Sequence, residues 1–204
     1  MTNSKDSGKA AAKAPGKRQR LTAAASLVLY EQGVERTTLA DIARVAEVPV
    51  GNVYYYFKTK DELVEAALSE HVTHLEALTA RLGLLPGPRE RLKALVEAWV
   101  GQRDSAVRHG CPTGTLAAEL GKRDDGGLDL AAGRVIRRLL DWVELQFREM
   151  GAADPEGLAL TLVGAYQGMS LLANALRDPE VMTREGARLL SWLDALEPGA
   201  PEGS

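Results

Sequence analysis

The stretch from Thr37 to Lys60 restricts the fold of this 204-residue chain more than any other segment. Leu39, Ile42, Ala43 and Ala46 recur at helical spacing and define one apolar face. Thr38 precedes them as a hydroxyl cap, with Asp41 three places on at the carboxylate position of a capping box. Pro49 disfavours helical backbone at Val48, so this helix ends near Ala46. The same proline suits the first position of a new helix, where its missing N–H costs nothing. Two short helices about a four-residue turn describe a helix-turn-helix.

The second of these helices has the composition of a contact surface. It opens on small residues, Val50, Gly51 and Asn52, and continues into Tyr54, Tyr55 and Tyr56. A core helix would carry branched aliphatics there. Gly51 permits close approach of the backbone to another surface. Asn52 can form paired hydrogen bonds with an adenine edge, and tyrosine hydroxyls reach phosphate oxygens. Lys58 and Lys60 follow where a nucleic-acid backbone would pass. On residues alone two readings stay open: a surface hairpin of helices with aromatic filler, or a helix that reads DNA.

The register resembles the DNA-binding domain of TetR-family transcriptional regulators. Their pattern, Thr-x-x-x-Ile-Ala-x-x-Ala-Gly-Val-Ser-x-Gly-x-x-Tyr-x-x-Phe-x-x-Lys-x-x-Leu, is matched without a gap by Thr38, Ile42, Ala43, Ala46, Val48, Gly51, Tyr54, Phe57, Lys60 and Leu63. Two positions depart from it: Glu47 stands for the turn glycine and Pro49 for the capping serine. The resemblance implies a double-stranded DNA operator as partner. Pro49, Val50, Gly51, Asn52, Tyr54, Tyr55 and Lys58 would approach the major groove and its flanking phosphates, while Thr37, Thr38 and Lys60 clamp the backbone.

The net charge of -3 hides an asymmetry. Residues 1–60 hold ten Lys/Arg against five Asp/Glu, a balance of +5, and the remainder carries -8. A basic head on an acidic body is expected when one end meets a polyanion. No apolar run approaches the roughly 18 residues of a membrane span, and the N-terminus has charge without an apolar segment. A single cysteine excludes an intramolecular disulfide and fits a reducing compartment, so a cytoplasmic location is expected. Residues 1–16 read as a disordered basic tail, residues 17–64 as the DNA-binding domain, 65–196 as a helical body and 197–204 as a frayed end. Lys5, Lys9 and Lys13 either add nonspecific attraction to DNA or are simply solvated.

Lys17 to about Gln32 forms the first helix, with Leu21, Ala24, Ala25, Val28 and Leu29 as one stripe and Gly33 as its stop. Beyond Phe57 no period-two alternation persists, so the fold class is all-α, with about nine helices. Thr59 caps a helix to about Arg81 that joins head to body. Further helices are expected at about 88–108, 115–121, 128–150, 155–176 and 183–196. This order also resembles the whole TetR architecture, in which the last two long helices pair with their copies. A homodimer interface would then use Gly164, Gly168, Leu189, Trp192, Leu193 and Leu196, although intramolecular packing explains the same pattern. The resemblance further implies an effector pocket in the body for an aromatic or apolar small molecule. Its candidate lining is Trp99, Arg103, Leu116, Trp142, Gln146, Tyr166, Gln167, Met169, Ser170 and Asn174.

Two other clusters are weaker. Cys111 precedes a short helix whose positive end can lower a thiol pKa, which permits a redox-sensor alternative through a sulfenic acid or an intersubunit disulfide. His71 and His74 with Glu70 make an incomplete metal site, so no metal and no cofactor is expected. Nothing resembles a nucleotide-binding glycine loop or a nucleophile elbow. The reading is a non-enzymatic, ligand-responsive repressor.

Overall fold

The computed structural model describes residues 15–123 and 127–197, and among these every regular element is an α-helix. Helix α1 (Lys17–Gln32) buries Leu21, Ala24, Ala25, Val28 and Leu29, the stripe the spacing requires. Gly33 ends it at a φ of 79°, its N–H bonded to the Leu29 carbonyl. Helix α2 (Leu39–Val45) starts with both halves of the capping box: the Asp41 N–H donates to Thr38 Oγ1 at 3.2 Å, and the Thr38 N–H donates to Asp41 Oδ2 at 3.1 Å. It ends in a Schellman turn, the Val48 N–H donating to Ala43 at 3.0 Å and the Glu47 N–H to Arg44 at 3.2 Å. That turn places Glu47 in the left-handed region, at a φ of 53°.

Helix α3 (Val50–Tyr56) begins one residue later than the proline rule suggests. Pro49 is its N-cap, not its first helical residue, with extended backbone and its carbonyl accepting the Asn52 N–H at 2.8 Å. Helix α4 (Lys60–Leu82) is capped by Thr59 Oγ1, which accepts the Glu62 N–H. In the body, the span expected at 88–108 is divided by a bend at Gln102 into α5 (Pro88–Gly101) and α6 (Arg103–His109). Counted as one bent unit these give the nine helices expected. Helix α7 (Pro112–Leu120) starts three residues earlier than expected, because Cys111 Sγ caps it by accepting the Gly114 N–H. Helices α8 (Leu128–Glu149), α9 (Pro155–Leu176) and α10 (Glu180–Ala195) follow. The early start of α10 follows Pro179, which ends the break after α9. The expected tails lie outside the described residues, except Pro15, Gly16 and Glu197.

Two apolar clusters organise these helices. The first is built from α1 to α4 but also contains Leu116 and Leu120 of α7 and Ala132 and Val135 of α8. Packing therefore crosses the expected boundary at residues 64/65. Polar ties reinforce it: the Glu119 carboxylate accepts the Val34 N–H at 2.6 Å, Tyr30 donates to the Gly110 carbonyl at 2.8 Å, and Arg123 pairs with Asp61 at 3.1 Å. The second cluster joins α5, α6, α8, α9 and α10, with Leu82 of α4, around Leu92, Leu95, Phe147, Leu162 and Met182.

Of the residues expected at an interface on α10, Leu189 and Leu193 require correction. Leu189 and Leu193 are buried in the protomer's own second cluster, Trp192 meets Phe147 edge-on at 6.0 Å, and Leu196 packs on the same cluster. Leu189 and Leu193 are thus committed within the protomer, while Trp192 and Leu196 stay partly exposed. The glycines of α9 differ: a Cβ added at Gly164 or Gly168 would meet nothing within 4 Å. Beside them Leu160, Leu171 and Leu172 are exposed. Helix α9 is also long and apolar enough to cross a membrane by length and composition, contrary to the expectation that no run approaches such a span. Its other side, including Leu162, Val163, Tyr166 and Met169, is buried in the body.

The turn at Glu47 yields a stability prediction. A side chain in left-handed backbone costs about 1 kcal/mol relative to glycine. Glu47→Gly should raise the thermal midpoint by about 2–4 °C. Thermal denaturation followed by circular dichroism checks this; an unchanged or lower midpoint contradicts the strain.

Candidate nucleic-acid interface and effector cavity

Helix α3 is held from within by Val53 and Phe57, 0% and 2% exposed. Those two anchors turn the opposite side outward: Val50 is 46% exposed, Tyr54 53% and Tyr55 77%. Pro49 and Gly51 are exposed at the leading end, and Asn52 is half-buried. Tyr56 sits edge-on to Tyr55 with ring centroids 4.9 Å apart, steadying the aromatic tip. Lys58 Nζ donates to the Tyr54 carbonyl at 2.7 Å, which satisfies the helix end and keeps a cation beside the tyrosines. Lys60 Nζ lies 3.5 Å from the Glu35 carbonyl. Arg18 is stacked over Phe57 at 5.1 Å, so its guanidinium is positioned by the head and is not simply solvated.

Of the three residues expected to clamp phosphate, Thr37 is the exception. It is 1% exposed and its hydroxyl donates to the Gly33 carbonyl at 2.6 Å, closing the turn between α1 and α2. Thr38 remains at the surface, with its hydroxyl donating to Asp41 at 2.6 Å. That hydroxyl and the Thr38 N–H hold the Asp41 carboxyl below its ordinary pKa.

A cavity of about 770 Å³ lies where α1, α4, α5 and α8 meet the starts of α7 and the middle of α9. Trp99 and Tyr166 stack on one wall, ring centroids 4.3 Å apart and 12° from parallel. Burial pushes the Tyr166 hydroxyl well above its ordinary pKa, with Cys111 adding to the effect. Burial likewise pushes Tyr30 up to about 12, Cys111 again adding and Arg108 opposing. On the opposite wall Ser26 Oγ is 3.4 Å from His71 Nε2, and Glu70 is 3.4 Å from His74. Cys111 is 6% exposed and its sulfur lies 3.5 Å from Gln167 Nε2.

Comparison with known proteins gives this arrangement a family. A profile described as bacterial regulatory proteins, tetR family, matches residues 21–67, and a tetracyclin repressor-like C-terminal domain matches residues 88–188. The chain belongs to the TetR family. The HTH-type transcriptional regulator TtgR of Pseudomonas putida is 50% identical over 58 residues, a match that spans 28% of each protein. An uncharacterised HTH-type regulator of Mycobacterium tuberculosis is 27% identical over 171 residues, 80% of this chain and 87% of that protein. Among solved structures, a TetR transcriptional regulator from Legionella pneumophila superposes with a TM-score of 0.79 at 16% identity, covering 90% of this chain and 98% of its own. Regulatory protein TetR from Rhodobacter sphaeroides gives 0.75 at 25% identity, covering 86% and 97%. All of these are regulators, and none is an enzyme.

Within this TetR-family body the expected pocket residues divide. Trp99, Tyr166 and Gln167 line the cavity. Leu116 does not, because it plugs the head cluster, and Arg103 is exposed on α6. Gln146 is buried but committed: it donates to the Trp142 carbonyl at 3.2 Å and accepts from Arg91 at 3.2 Å. Trp142, half-buried, packs against the second cluster. Met169 is buried in that cluster, and Ser170 is fully buried beside Tyr166. Asn174 donates to the Val107 carbonyl at 2.9 Å, tying α9 to α6. What sequence reasoning missed is the contribution of α1 and α4. Ala23, Ser26, Leu27 and Tyr30 stand at helical spacing, a usable signal obscured by the stronger stripe beside it. Among the described residues no group of three or more His, Cys, Asp or Glu could hold a metal ion.

His71 makes stability depend on pH. Burial first, and His74 second, lower its imidazole below the ordinary 6.5. Below pH 6.5 the unfolded chain therefore takes up a proton that the folded state refuses, and stability falls until the lowered folded value is reached. His71→Gln should lose less stability than the parent between pH 7.5 and pH 5.5 in urea titrations; equal losses contradict the assignment.

Proposed function

We propose that this TetR-family chain is a dimeric DNA-binding repressor, released from a palindromic operator by a small molecule held in the body. The observation that carries the reading is the orientation of α3, whose Tyr54, Tyr55 and Gly51 face outward with Asn52 half-buried beside them, while Val53 and Phe57 fix it from behind. Asn52 supplies a base-edge donor and acceptor, Tyr54 and Tyr55 supply hydroxyls for phosphate, and Thr38, Lys58 and Lys60 flank them. Thr37 serves by shaping the turn that presents Thr38.

One such head reads too few base pairs, and two about 34 Å apart match successive major grooves. The face of α9 supports pairing. A helical glycine costs about 1 kcal/mol, and nothing in the protomer packs where side chains at Gly164 and Gly168 would stand. Close approach of a second α9 explains that cost. A groove of about 480 Å³ between α9 and α10, bordered by Leu172, Arg184 and Arg188, continues the same face. An effector that prefers the DNA-incompetent separation of heads weakens operator binding, and the operator weakens effector binding equally. An intersubunit disulfide through Cys111 does not fit, since the thiol is buried and caps α7.

Mobility shift on the DNA upstream of the chain's own gene, at rising salt, tests the reading. Specific binding should weaken steeply with salt, and Tyr54→Ala with Lys60→Ala should lower affinity about tenfold or more and reduce the salt slope by about one. Unchanged affinity in that variant removes the site. For the interface, Gly168→Arg should fold normally yet elute as a monomer by light scattering, with operator affinity lost; a retained dimer moves the interface elsewhere.

A further inference from the structure

Helix α1 is two-faced. Leu21, Ala24, Ala25, Val28 and Leu29 close the head, while Ala23, Ser26, Leu27 and Tyr30, spaced i, i+3, i+4, i+7, line the cavity. Leu27 is 46% exposed there, an apolar side chain on the head left only partly covered. The cavity volume of about 770 Å³ lies within the range that holds small organic molecules, roughly 300–1,000 Å³. Its charged groups are segregated along α4. Glu70 and His74 lie at the seam with α1, beside His71, which burial keeps neutral near pH 7. Arg81 is eleven residues further along the helix, about 16 Å away at 1.5 Å per residue. The seam thus offers a carboxylate and an imidazole as acceptors, with the ring of Tyr30 on α1 beside them and those of Trp99 and Tyr166 on the other walls.

We propose that the effector site is shared between the two halves of the chain, with α1 of the head as one wall, and that it takes a largely apolar aromatic amine whose N–H meets Glu70 and His71. This rests on the regulatory reading above and adds where the effector touches and what it is. The occupant contacts the DNA-reading domain directly through Ser26, Leu27 and Tyr30. Occupancy then shifts α1 against α4 without a relay through the body.

The test uses the full chain and a matched pair of fluorescent probes. N-phenyl-1-naphthylamine is neutral with one N–H, and 1-anilinonaphthalene-8-sulfonate adds a sulfonate to the same skeleton. The neutral probe should bind about tenfold tighter than the anionic one, the difference expected of one nearby carboxylate. Glu70→Gln should narrow that ratio, and Leu27→Glu should weaken the neutral probe about tenfold. Ser26→Ala, a milder change on the same wall, should weaken it measurably should Leu27→Glu not fold. Hydrogen exchange should show protection of residues 23–30 when the neutral probe is added. Equal binding of both probes, unaffected binding in the α1 variants, or protection confined to α5–α9 overturns the proposal. These readouts need no DNA, so a failed operator shift with intact probe binding rejects the repressor reading alone.

Discussion

Leu116 and Leu120 of α7, with Ala132 and Val135 of α8, complete the apolar cluster that α1 to α4 begin, and the rest of the architecture depends on that closure. A unit of fewer than 50 residues buries a smaller fraction of its surface than a larger domain does and is marginal alone. Here the missing cover comes from the other half of the chain. The closure also fixes α7 against the head, so its first turn sits in the cavity wall while its last turn sits in the head's core.

Polar contacts follow the same seam. The Glu119 carboxylate meets the Val34 N–H just after α1, and Gly33 stands so close to that carboxylate that a Cβ there would lie 2.7 Å from it. Gly33 is therefore favoured by its positive φ, and a side chain there would also displace the Glu119 carboxylate. Tyr30 reaches across to Gly110 and meets His109 edge-on at 5.2 Å. The cavity wall is thus tied to the rest of the chain by short, directional bonds and not only by general packing.

What the residues announced, and what they withheld, follows the range of the forces involved. The Thr38 cap and the break before Pro49 are set by neighbours within a few positions, so spacing reveals them, whereas the turn at Glu47 was marked only by the family's glycine at that place. The placement of Pro49 as cap, not first helical residue, is an error of one step within that local logic. The cavity is different, since it is a gap left by six helices, and no local pattern separates Trp99, which faces it, from Leu116, which plugs the head. The stripe on α10 was legible as apolar, but an apolar stripe does not say whether its partner belongs to the same molecule. Leu189 and Leu193 found theirs at home. The glycines of α9 differ, because nothing in the protomer packs where side chains at Gly164 and Gly168 would stand.

The shared core also limits how such chains can be recombined. A chimera cut at residues 64/65, joining this head to an unrelated body, would exchange Leu116, Leu120, Ala132 and Val135 for foreign side chains against the head cluster. The graft would inherit a mismatched lid over its reading domain. Modularity in this protein ends where α7 meets α1, and a portable head must carry α7 and the first turns of α8 with it.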